Sequence, residues 1–173
     1  MRKVVLTFGL IAGAVLSVMM VVTLPWMDSI GYEKGEIIGY TTMVLAFMMV
    51  FFGIKSYRDN VAGGTITFGR AFKVGGLIAL IGTLCYVATW QVVSRTMAPD
   101  FPEKYAAYAI EKARASGKSA EEIAKEEADM KRFAEWYKNP LVNIGFTFLE
   151  PLPVALIITL VSAGVLKRKV GAE

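Results

Sequence analysis

The sequence predicts an all-α polytopic membrane protein of four transmembrane helices, with a helical extramembrane cap between the third and fourth. Three observations lead there. First, four stretches are apolar over bilayer-crossing lengths: Val4–Met27, Ile37–Ile54 and Val74–Ser94 hold no charged residue, and Leu141–Leu166 holds only Glu150. At about 1.5 Å per helical residue these runs reach about 27–39 Å, against a hydrocarbon layer about 30 Å thick. Second, the chain is 55% hydrophobic with a mean hydropathy of +0.49, more apolar surface than 173 residues can bury in water. Third, one long polar segment, Arg95–Pro140, separates the last two runs. A single membrane domain over residues 1–173 is the natural count.

The first span follows Arg2 and Lys3, a pattern shared with signal peptides. It is too long for a signal core, and Trp26-Met27-Asp28 stands where small cleavage-site residues belong, so a retained helix is expected. Gly9, Gly13 and Ser17 recur at four-residue spacing and line one face, where another backbone can approach closely. The spacing does not say which helix approaches; a neighbour in the same chain and a second copy in a homo-oligomer both satisfy it. The second span carries Gly39, Ala46 and Gly53 seven residues apart. Between the second and third spans, Gly63-Gly64 offers positive φ for a reversal, and Thr67 is placed to cap the helix that follows. The third span repeats the small-residue theme with Gly75 and Ala79.

The segment 95–140 reads as two helices. Asp100 and Pro102 open the first and Gly117 ends it; Ser119-Ala120-Glu121-Glu122 has capping-box spacing for the second, which runs to about Lys138. Glu121/Lys125 and Glu127/Lys131 are spaced for pairing along that helix. Ile123, Met130, Phe133, Ala134 and Tyr137 form its apolar stripe, suited to rest on the membrane or the bundle mouth. Asn139-Pro140 then caps and starts the fourth span.

Basic residues set the expected orientation. Arg2, Lys3, Lys55, Arg58, Arg70, Lys73, Lys167, Arg168 and Lys169 fall on one side, whereas the first loop on the other side carries Asp28, Glu33 and Glu36 against Lys34. The long loop balances nine basic with nine acidic residues. The positive-inside rule then places both termini in the cytoplasm and 95–140 outside, and Trp26, Trp90 and Trp136 all fall at the outer interface. The net charge of +4 is this topological signal, and no nucleic-acid partner is expected. Lys55, Arg58, Arg70 and Lys73 are candidates for contact with lipid headgroups, the lipid bilayer being the expected partner.

Chemistry is sparse. The chain has no histidine, which removes His-based triads and His-ligated zinc or haem; one cysteine, Cys85, permits no intrachain disulfide. No cofactor or metal is expected. Glu150 is the exception: a carboxylate about ten residues into the fourth span costs a few kcal/mol unless paired, hydrated or protonated. Pro151 and Pro153 follow it and leave the carbonyls of Thr147 and Leu149 without helical donors. Two readings stand: a proton, cation or ligand site, or a structural contact with Gln91, Ser94 and Arg95 at the outer end of the third span.

The segments Gly53-Ile54-Lys55-Ser56-Tyr57-Arg58-Asp59, Gly63-Gly64, Thr67-Phe68-Gly69-Arg70-Ala71-Phe72 and Phe148-Leu149-Glu150-Pro151-Leu152-Pro153-Val154, closing on Leu160-Val161-Ser162-Ala163 and Lys167-Arg168-Lys169, resemble a family of bacterial four-helix membrane proteins, domain of unknown function 4199. The resemblance covers nearly the whole chain and implies a bacterial inner-membrane location, without implying an activity. The function expected is a non-enzymatic accessory or interaction component. The alternatives are a small proton- or cation-coupled transporter or channel using Glu150, and a membrane enzyme restricted to carboxylate, lysine or tyrosine chemistry.

Overall fold

The computed structural model describes residues 1–168. Helix α1 (Arg2–Thr23) passes through a 3₁₀ turn (Leu24–Trp26) into the short α2 (Met27–Ile30), and Gly31, at φ 84°, starts α3 (Tyr32–Asn60). Helix α4 covers Phe68–Thr96, α5 Phe101–Ala115 and α6 Ala120–Tyr137; the last long segment is divided into α7 (Pro140–Leu149) and α8 (Leu152–Leu166). Four helical segments are therefore long and apolar enough to cross a membrane. They outrun the charge-free stretches because charged ends continue the helix, as Tyr32–Glu36 and Lys55–Asn60 do in α3. Lys169, part of the basic-residue argument, lies outside the described residues.

Helices α3 and α4 form the central pair, with α1 on one side and α7–α8 on the other. Small residues set the spacing. A Cβ added to Gly9 would stand 2.7 Å from Ile81 Cβ, and one added to Gly13 would stand 2.5 Å from Cys85 Cβ. One turn on, the Thr89 hydroxyl donates to Ser17 Oγ at 2.7 Å. The three small residues thus meet α4 in constant register within the chain, the approach that small residues permit. On the other face of α4, Gly75 lies against Ile54, Val50 and Thr159, and Ala79 is buried. The core of the terminal half is Phe47, Val50, Ile54, Val74 and Ile78. Large side chains such as Leu10, Leu45, Leu84, Ile157 and Val165 face outward, as expected of helices solvated by lipid.

At the end holding the α3–α4 loop, Gly63 and Gly64 adopt φ 67° and 84°, and the Thr67 hydroxyl accepts from the Arg70 N–H at 3.4 Å. Ile66 and Arg168 exchange backbone hydrogen bonds of 3.0 and 2.9 Å, tying the loop to the end of α8.

At the opposite end, α5 and α6 pack against each other. Ser119 and Glu122 complete the capping box, and the Asn139 side chain accepts from Leu141 N–H at 2.9 Å. Asp100 makes no capping bond; with Asp28 it holds the Lys104 ammonium, at 3.2 and 3.0 Å, and the hydrogen bond to Asp28 in particular raises the lysine pKa. The expected Glu121/Lys125 and Glu127/Lys131 pairs are replaced by pairs between the two helices and their turn, Arg114–Glu127 and Lys118–Glu126. The neighbouring helix offers better placed partners than the same helix face. Trp90, expected at the outer interface, is covered by protein. It is 7% exposed and its indole N–H donates to the Tyr137 hydroxyl at 2.8 Å, whereas Trp26 and Trp136 are exposed.

Candidate functional site

Pro151 and Pro153 decide the local structure at Glu150. Helix α7 ends at Leu149, where Glu150 N–H still bonds to the Phe146 carbonyl at 3.1 Å, and α8 resumes with Ala155 N–H on the Pro151 carbonyl at 2.9 Å. The two imino nitrogens cannot donate, so the carbonyls of Thr147 and Leu149 lack their usual partners at the break. Glu150 sits at this interruption. Its Oε2 accepts from the Tyr86 hydroxyl on α4 at 2.8 Å, and its side chain is exposed to a cavity rather than packed in the core.

That cavity has a volume of about 460 Å³ and occupies the half of the bundle nearest α5 and α6. Its walls come from α1, α2, α3, α4 and α7, and α5 and α6 add aromatic side chains. Glu36 on α3 is the second carboxylate on the wall, and no lysine or arginine is among the described lining residues. Nine aromatic side chains border it, including Trp90, Phe101, Tyr105 and Tyr137. Phe101 lies 4.9 Å from Trp90, centroid to centroid, and Phe133 lies 5.1 Å from Tyr137 and 5.5 Å from Phe146. The Tyr137 phenol, outside the apolar spans, has its pKa raised by burial, so it stays a neutral hydrogen-bonding group. A pocket of this size with few polar groups on apolar walls has the general character of a ligand site.

The contact of Glu150 with Gln91, Ser94 and Arg95 weighed in the structural reading is not among the described hydrogen bonds and ion pairs. Arg95 donates to the Gln91 carbonyl and side-chain oxygen at 3.1 and 3.4 Å, and Gln91 donates to Asn143 Oδ1 at 2.6 Å. Gln91, Ser94 and Arg95 do come together, with Asn143, around a separate cavity of about 160 Å³. The antiparallel register explains the separation. Gly75 faces Thr159, Tyr86 faces Glu150 and Gln91 faces Asn143, so Arg95 lies further along, beyond the level of Asn143.

The four basic residues of the α3–α4 region divide as well. Arg58 is half-buried, bound to Asp59 at 2.7 Å and to the Leu166 carbonyl at 3.4 Å. Arg70 lies 5.5 Å over the ring of the buried Tyr57. Lys55 and Lys73 are exposed. The Tyr57-Arg58-Asp59 segment is thus engaged in closing the bundle onto α8.

Tyr86 and Glu36 are the site residues that the sequence reading passed over. A signal for Glu36 existed: Tyr32, Glu36 and Tyr40 recur at four-residue spacing and line the cavity together. No local pattern marks Tyr86, whose role depends on the register between α4 and α7.

Fold and site together define a bundle of four helices long and apolar enough for a membrane, with a partly open, acidic, aromatic-walled cavity at one end. The chain belongs to the family described as "Protein of unknown function (DUF4199)", whose model matches residues 7–168. No curated protein and no solved structure matches it.

Proposed function

We propose that this chain is a non-enzymatic, multi-pass protein of the bacterial inner membrane that binds a proton or a cationic ligand at Glu150. In this reading both termini are cytoplasmic, α5 and α6 form a cap on the outer side, and the cavity belongs to the outer half of the bilayer. The observation that carries the proposal is the placement of Glu150 at a proline-broken helix, on the wall of a cavity that also bears Glu36 and no basic residue among those described. A carboxylate at such depth is expensive to keep charged without compensation, so it favours a proton or a positive partner. The cavity favours ligand handling over the purely architectural accessory role suggested by patterning alone. Oligomerisation of the bundle is a compatible addition, although Gly9 and Gly13 are already used against α4.

The test is a titration of the protein in nanodiscs, following tryptophan emission against pH and against sodium, for the native chain and for Glu150→Gln. The native chain should respond to at least one of the two and the variant to neither, while both retain the same helical circular dichroism. Identical responses would remove Glu150 from the site.

A further inference from the structure

We propose that the cavity selects an apolar organic cation, a hydrophobic amine or quaternary ammonium, over an inorganic ion; this rests on the reading of Glu150 as a cation site and names its ligand class. Three features of the walls point to that chemistry. The first is charge: Glu150 at the break between α7 and α8 and Glu36 on α3 both line the cavity, with no basic residue among the described lining side chains. A single bound cation therefore meets negative charge from two walls and no competing positive charge.

The second feature is the aromatic content. Trp90, Phe101, Tyr105, Phe133 and Tyr137 present rings within about 5–6 Å of one another along the α5/α6 side. Ring faces attract cations that have a weak hydration shell, and the attraction grows when water is excluded. Small inorganic cations instead ask for several oxygen ligands to replace tightly held water. Among the described residues no group of three or more His, Cys, Asp or Glu is placed to hold a metal ion.

The third feature is size and adaptability. About 460 Å³ is far more than a bare ion fills, and it lies within the ordinary range for small organic ligands. Met19, Met20, Met27 and Met43 contribute flexible thioethers to the α1–α3 side, a surface that reshapes around apolar groups of differing outline. Glu150 keeps one carboxylate oxygen on Tyr86, so Tyr86 acts as a positioning residue and the other oxygen is available to the ligand.

The protein supplies its own reporter. Trp26 and Trp136 are exposed and Trp90 borders the cavity, so a Trp26→Phe/Trp136→Phe chain emits from the site alone. In nanodiscs it would be titrated with benzyltrimethylammonium, with the uncharged carbon isostere neopentylbenzene, and with sodium and potassium chloride. The expected result is saturable binding of the ammonium compound, weakened at least about tenfold by Glu150→Gln and by Glu36→Gln introduced separately. The isostere should neither saturate nor compete, and a tenfold excess of sodium or potassium should not displace the ammonium. Equal binding of the isostere would make the cavity an apolar pocket for lipid chains and overturn the proposal. Ammonium affinity untouched by both glutamine variants would overturn it too. A sodium or proton response that needs Glu150, without ammonium binding, would remove this inference and leave the cation site standing. If Glu150→Gln fails to fold, Glu36→Gln carries the same comparison from a different helix.

Discussion

At the level of single residues, Glu150 is held by a neighbour that sequence spacing did not suggest. The Tyr86 hydroxyl donates to Glu150 at 2.8 Å, whereas Arg95 is turned onto Gln91. Stability measured in detergent for Tyr86→Phe, Glu150→Leu and the double variant should give a coupling of about 1–2 kcal/mol, the range for a hydrogen bond removed from a poorly hydrated site. Leucine is used because a glutamine oxygen would still accept from Tyr86. The same cycle built with Arg95→Gln and Glu150→Gln should give less than about 0.5 kcal/mol, since the two residues share no partner. A larger Arg95 coupling would restore the ion-pair account. The carboxylate itself was legible in the sequence, because any charge in an apolar run stands out. Its partner was not, since an antiparallel register between α4 and α7 is a property of packing and leaves no local trace.

Among the helices, the same residue type meets opposite surroundings. Gly13 is pressed against Cys85 on α4, but an added Cβ at Gly39 meets nothing within 4 Å. Gly13→Leu should therefore lower stability by about 2 kcal/mol or more through overpacking at the α1–α4 contact. Gly39→Ala should leave stability unchanged or raise it by up to about 1 kcal/mol through helix propensity. Equal thermal midpoints for the two variants in detergent would mean that α1 does not approach α4 as described. The N-terminus of α6 yields a pH prediction. Hydrogen bonds from the Ser119 backbone N–H and then its hydroxyl lower the Glu122 pKa. A depressed folded-state pKa contributes stability that is fully present above the unfolded value of about 4.3 and is lost as pH falls through the folded value. Protection factors for amide exchange at the start of α6, taken relative to intrinsic rates at each pH, should therefore fall in that acid window, and the fall should vanish in Glu122→Gln. The Thr67, Ser119 and Asn139 caps and the glycine turns were readable because each is a contact over a few residues, whereas Asp100 is drawn from its cap to Lys104. The exchange of intrahelical pairs for Arg114–Glu127 and Lys118–Glu126 was not readable, because it requires α5 and α6 to meet first.

For the molecule as a whole, the two ends of the bundle do different work. One end is closed by Tyr57, Arg58 and the pairing of Ile66 with Arg168; the other opens into the cavity bordered by α5 and α6. The apolar runs made the four spans legible, while the cavity was not, because its walls come from helices far apart in sequence. Trp90 illustrates the difficulty: its type and position fit an interfacial anchor, yet α5 and α6 bury it. The remaining orientation argument therefore rests on the basic residues and on the exposed Trp26 and Trp136. It is testable in intact cells. Cys85 is first changed to Ser, which keeps the Cβ that packs against Gly13. Ser119→Cys is used despite the loss of the capping hydroxyl, with Lys125→Cys as a second site on α6 that leaves the cap intact. An impermeant maleimide should label both, while Ser56→Cys near the Arg58 end should react only after the membrane is opened. Labelling of Ser56→Cys with protection of both α6 sites would invert the molecule, moving the cavity to the cytoplasmic half and giving its ligand an internal source.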